Sequence, residues 1–170
     1  MKIRCLLFLC FVCILSACAS SSKPDSIVEE ANRVTATKRI ADSDFELRLV
    51  AERIDEDDNM FELEAGIRYI GDRPEIEIMH GDPLISSSII IEGEEIGGPS
   101  VVITIGIFTT LKANEWHTQD ITLQSSRTQI KQFYEKDGKI TINAGFSADG
   151  YTYEQKDNAF LSLKAEDIPR

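Results

Sequence analysis

From Phe45 onward, hydrophobic and polar residues alternate in steps of two. Phe45, Leu47, Leu49 and Ala51 alternate with Glu46, Arg48, Val50 and Glu52. Phe61, Leu63, Ala65, Ile67 and Tyr69 alternate in the same way with Glu62, Glu64, Gly66, Arg68 and Ile70. Successive side chains of a strand point to opposite faces, so this period predicts half-buried β-strands. Gly71-Asp72-Arg73-Pro74 reads as a turn, 75–80 as a strand, and Gly81-Asp82-Pro83 as a break before a strand over 84–91. The glycines and proline of 93–99 read as a loop or hairpin tip. Val101, Ile103, Ile105 and Ile107 share one parity and are predicted to face the core from a β-branched strand. Ile121 and Leu123 mark another strand, beginning near Trp116. Ile140, Ile142, Ala144 and Phe146 follow the Asp137-Gly138 turn, and Leu161 with Leu163 mark the last strand. Only 125–136 is predicted helical, with Ile130, Phe133 and Tyr134 on one face. Seven or eight short strands separated by turns predict an all-β antiparallel sandwich; a βαβ fold would need crossover helices.

The N-terminal region lacks this period. Lys2 and Arg4 precede residues 5–15, a run with no polar side chain other than thiols. Spanning a bilayer core takes about 20 apolar residues, whereas the apolar part of a signal peptide takes about 7–15. Leu15-Ser16-Ala17-Cys18 closes the run, and these four residues resemble the lipobox of bacterial lipoprotein signals. The resemblance implies removal of residues 1–17 by cleavage between Ala17 and Cys18, and lipidation of Cys18 by a diacylglyceryl thioether. That places the chain on the extracytoplasmic face of the cell membrane, held to the lipid bilayer through Cys18. Two acyl chains give stable attachment, at about 0.8 kcal/mol per buried methylene. Residues 18–44 are expected to be the lipidated N-terminus and a tether, opening with the small, polar Ala19-Ser20-Ser21-Ser22-Lys23-Pro24. Ser26 and Glu29 have capping-box spacing, and Ile27, Ala31 and Val34 share a helical face, which predicts a short helix within the tether. The folded domain is expected over 45–170.

Charge and cysteine content narrow the function classes. The chain carries a formal charge of −11, and losing Lys2 and Arg4 with the leader leaves 16 cations against 29 anions, or −13. Such a surface repels phosphate backbones and anionic headgroups, so neither nucleic acid nor direct headgroup binding by the domain is expected. Cys5, Cys10 and Cys13 leave with the leader, and Cys18 is the acylated residue. The mature chain thus has no thiol for a disulfide, a nucleophile or a metal. Its 153 residues suffice for one domain stabilised by its core alone.

A second resemblance rests on Tyr69-Ile70-Gly71-Asp72 and on the stretch from Glu75-Ile76-Glu77-Ile78 through Met79-His80-Gly81-Asp82-Pro83-Leu84. These segments look like the central hairpin of an immunoglobulin-like domain in uncharacterised lipoproteins of Bacillus and relatives. Asp137-Gly138-Lys139-Ile140-Thr141-Ile142-Asn143-Ala144 is similar to the penultimate strand of that family. The resemblance covers about half of the mature chain and implies an immunoglobulin-like sandwich at the cell surface, with no established activity. A more distant similarity in strand order is to the intracellular proteinase inhibitor domain of bacilli. It implies inhibition of an extracytoplasmic protease through inter-strand loops, although this chain differs from that family in carrying an export signal.

Candidate chemistry is sparse. His80 shares parity with Ile76 and Ile78 and reads as a hydrogen-bonded rim histidine, with Asp82 its only evident partner for a metal. No His-Glu-x-x-His or comparable spacing supports zinc. Ser86-Ser87-Ser88 lacks the glycine elbow that presents a nucleophilic serine, so these residues read as polar strand positions. Asp55, Asp57 and Asn59 imitate the start of a calcium loop. Met60 replaces its turn glycine and Gly66 stands at its twelfth position, which leaves an acidic inter-strand loop as the better reading. Glu92, Glu94 and Glu95 read as a solvated hairpin tip. Alternation from Ile121 and Leu123 points Trp116 outward, where with His117 it is the candidate partner contact. A bulge would instead bury Trp116, the commoner fate of a lone tryptophan in a sandwich and the one expected here.

The sequence therefore predicts a monomeric, membrane-anchored envelope lipoprotein. Its immunoglobulin-like sandwich is expected to be a binding or accessory module for an envelope protein, with no catalytic residues, metal or cofactor. The alternative is the extracytoplasmic protease inhibitor.

Overall fold

The computed structural model describes residues 22–55, 57–96 and 102–170, with the backbone alone at Tyr153 and Glu154. Ala17, Cys18 and the leader lie outside the described residues, as does Val101. In chain order the strands are β1 (Ser26–Glu30), β2 (Arg33–Arg39), β3 (Phe45–Glu52), β4 (Met60–Tyr69), β5 (Glu75–Ile91), β6 (Glu94–Ile96), β7 (Ile103–Lys112) and β8 (His117–Gln124). Helix α1 (Arg127–Glu135), β9 (Lys139–Ala148), the short helix α2 (Tyr153–Lys156) and β10 (Phe160–Lys164) complete the chain.

These ten strands form two antiparallel sheets, an all-β sandwich. The first sheet runs β1-β2-β3-β4-β8. The second runs β10-β9-β5, with β6 and β7 both paired to β5. The period-two rows of the sequence are the inner faces. Phe45, Leu47, Leu49 and Ala51 of β3 and Phe61, Leu63, Ala65, Ile67 and Tyr69 of β4 are buried. From the other sheet, Ile76, Ile78, Ile85, Ile89, Ile140, Ile142, Ala144 and Phe146 meet them. Phe45, Tyr69, Phe146 and Tyr151 close one end of this core with aromatic contacts, among them the stacked Phe146–Tyr151 pair at 4.3 Å. At the other end Phe61 meets Phe133 edge-on at 5.1 Å.

The expected helix is present. Ser126 caps α1 and shares a capping box with Gln129, while Ile130, Phe133 and Tyr134 are buried. Buried Tyr134 has its hydroxyl pKa pushed up to about 12, mainly by desolvation.

Three expectations are corrected. The tether does not extend to residue 44 and contains no helix, because β1 and β2 form a hairpin on the edge of the first sheet. Val34 pairs with Ala51 and Ala36 with Leu49, extending the apolar row of β3 into the next strand. Val34, Ala36 and Ile40 are completely buried. This hairpin adds two strands to the seven or eight expected. Second, Gly81-Asp82-Pro83 does not end a strand. β5 continues through it for 17 residues, and its register against β9 shifts between His80 and Ile85. An irregular, bulged segment accommodates proline, which lacks the N–H a regular ladder needs. Third, the apolar row of β7 does not face the core: Ile103 is 55% exposed and Ile105 58%. The opposite sheet ends at β8, whose Gln119 amide bonds both the N–H and the C=O of Ile85 in β5. The opposite sheet thus ends over β5 and leaves the first half of β7 uncovered.

Candidate functional site

Two surfaces of the sandwich depart from a plain solvated face. The first is built around Trp116. In the first sheet Gly66 of β4 lies between Arg48 of β3 and Thr118 of β8. Its missing side chain opens the outer face, and the Trp116 indole lies there. A β-carbon at Gly66 would stand 3.2 Å from Trp116 Cε3. The guanidinium groups of Arg48 and Arg68 lie over the same ring, at 4.6 and 4.5 Å from its centroid. Each arginine is also paired with a carboxylate across β3 and β4. Arg48 meets Glu64 at 2.6 Å, and Arg68 meets Glu46 at 2.5 Å. Trp116 is therefore half-buried outside the sheet, as strict alternation indicates, and its expected burial in the core is corrected. Its neighbour His117 is exposed at the first position of β8.

Beside this platform runs a shallow trough of about 540 Å³ on the outer face of β2, β3, β4 and β8. Its charged lining is Arg33 and Arg48 against Glu52, Glu62, Glu64 and Asp120. Arg48 is already engaged by Glu64 and the indole. The network ties β3 to β4 and to the loop before β8, and Arg33 is paired with Glu30 at 2.5 Å, so among the described residues lining the trough no cation is left without a partner.

The second surface is the β7 edge. Ile103, Ile105 and Phe108 are 55%, 58% and 63% exposed, and Val102 and Met79 are exposed beside them. Gly81 permits the strand to start here: a β-carbon at that position would stand 2.7 Å from Val102 Cγ1 and 2.8 Å from the Ile103 carbonyl oxygen. Gly106 lies diagonally across from Met79, whose Sδ would stand 3.4 Å from a β-carbon there, and the two border a shallow apolar groove of about 450 Å³.

The other sequence candidates find ordinary structural partners. His80 is half-buried, with Nδ1 2.5 Å from the Gly81 carbonyl oxygen and Nε2 2.9 Å from Thr109 Oγ1, a hydrogen-bonded rim position. Ser86 Oγ donates to the Asn143 carbonyl at 3.4 Å. Asp55 pairs with Arg53 and Asp57 with Arg127, so the acidic loop after β3 is held by arginines. Among the described residues no cluster of three His, Cys, Asp or Glu side chains has the arrangement to hold a metal ion. Buried Lys38 is satisfied by the carbonyls of Asn158 and Phe160, at 3.0 and 2.8 Å. Desolvation lowers its pKa, and the charge of Asp25 opposes that shift.

Gly66 and the β7 edge are the features the sequence reading passes over. A glycine inside an otherwise clean alternating strand marks a close approach, and this signal is present at position 66. No family model matches the chain, and no curated protein matches it.

Proposed function

We propose that this chain is a membrane-anchored envelope lipoprotein whose sandwich is a non-catalytic binding module held close to the bilayer. The observation that carries the reading is the lipobox ending at Cys18, taken together with where the fold begins. Ser22 already accepts a hydrogen bond from the Ser162 N–H of β10 at 2.8 Å, and Asp25 bonds the β2 backbone. The four-residue step from Cys18 to Ser22 spans at most about 14 Å. An acylated Cys18 would therefore hold the β10 side of the domain beside the headgroups, where a tether reaching residue 44 would let it range far from the surface. Among the described residues no helix is long and apolar enough to cross a membrane.

Cys18→Ala tests the anchor in cells expressing the full chain. The parent is expected in the membrane fraction with a lipid-modified N-terminus by intact mass. The variant should be released or accumulate with residues 1–17 uncleaved. A variant that stays in the membrane fraction with its leader removed would sink the reading.

A further inference from the structure

We propose that β7 is the interface with a second copy of this chain, the two β7 strands pairing antiparallel to join their sheets. Among the described residues five strands lie at sheet edges, and four of them are blunted. β1 is five residues long and bears Glu29 and Glu30. β6 is three residues long and bears Glu94 and Glu95. β8 carries Asp120 on its outer face, and β10 has Ser22 bonded at Ser162. Short length, charge and covering are how edge strands avoid pairing with other chains. β7 carries charge only at its last residue, Lys112. It is ten residues long, its described ladder partner is β5 alone, and 102–111 contains no charged residue.

The chemistry of the edge selects the occupant. Two copies of a chain this acidic repel each other wherever carboxylates meet, and β7 itself carries no carboxylate; Glu94 and Glu95 of β6 lie farther along the same side of β5. A two-fold axis normal to the sheet keeps residues of equal parity opposite each other. The row of Ile103, Ile105 and Ile107 in one copy then faces the same row in the other. The β-branched row is thus self-complementary, as an isologous interface requires. A bilayer suits the edge poorly. Through Ser162, Thr141 and Ser88 the register places Ser22 on the order of 20 Å along β5 from the segment that β7 pairs with.

The test places a photo-crosslinking amino acid at Thr104 in the full chain, in cells expressing it, with the same probe at Glu29 in β1 as the control. Illumination is expected to give an adduct of twice the chain mass from position 104 and none from 29. Ile105→Lys and Phe108→Lys, at exposed positions on opposite faces of β7, should each abolish the adduct while the circular dichroism melt stays unchanged. Adducts to other proteins alone, no adduct at all, or a dimer adduct that survives both lysines would overturn the proposal. Acylation of Cys18 is scored separately by fractionation, so failure of the anchor and failure of the dimer are distinguishable.

Discussion

Gly66 shows how one missing side chain can organise a surface. On the outer face of the first sheet Gly66 sits among Arg48, Glu64, Arg68 and Thr118, and the gap it leaves receives the indole of Trp116 from the loop before β8. Arg48 and Arg68 then gain a second partner without giving up Glu64 and Glu46. Cation–π contacts at exposed sites are worth about 0.5–1 kcal/mol each, so Trp116→Ala should cost about 1–2 kcal/mol in a urea melt. Gly66→Val is the sharper test, since its side chain occupies the space of the indole edge. Trp116 is the only tryptophan of the chain, so its fluorescence reports the site directly. The emission of Gly66→Val is expected to shift to the red as the ring is pushed into water. An unshifted spectrum would show that the indole does not rest on Gly66.

Elements with the same hydrophobic period end in different environments. Ile142 in β9 and Ile105 in β7 both belong to alternating, β-branched rows, yet the first is fully buried and the second 58% exposed. The period states which residues share a face; whether another layer covers that face depends on where the opposite sheet stops. Ile142→Ala is expected to cost about 2–5 kcal/mol, the range for truncating a buried large side chain. Ile105→Ala should stay within about 0.5 kcal/mol, as surface substitutions do. Equal losses in chemical denaturation would mean that the first half of β7 is covered after all. The inner rows of β3, β4, β9 and β10 and the apolar face of α1 were legible because their patterns are local and unbroken. The β1–β2 hairpin was not, because capping-box spacing at Ser26 and Glu29 masked the alternation of Val34, Ala36 and Ile40. The continuity of β5 was hidden by a glycine and a proline that mark a turn when read locally. Of the candidate site, the outward parity of Trp116 was readable from Ile121 and Leu123. The two arginines over it were not, because cross-strand neighbours depend on register.

At the scale of the whole molecule, the position of the first strand decides what kind of object is attached to Cys18. Read as a tether to residue 44, the N-terminal segment would be dispensable for folding. The structure instead makes 33–40 a wall of the core, with Val34, Ala36 and Ile40 inaccessible and β3 held between β2 and β4. The chain from Ala19 onward has no cysteine, so no disulfide compensates for losing that wall. Removing buried residues the size of Val34 and Ile40 costs several kcal/mol, and stripping β2 also exposes Leu47 and Leu49. The sum approaches the whole stability of a domain, about 5–15 kcal/mol. Deleting 22–44 is therefore expected to abolish cooperative thermal unfolding and leave a chain that proteases degrade. Deleting 19–21 should leave the melting temperature unchanged and shorten only the link to Cys18. A chain lacking 22–44 that still melted cooperatively near the parent temperature would return the domain boundary to Phe45. It would also restore a long tether between Cys18 and the domain, the arrangement under which the proposed anchor would let the domain range away from a bilayer.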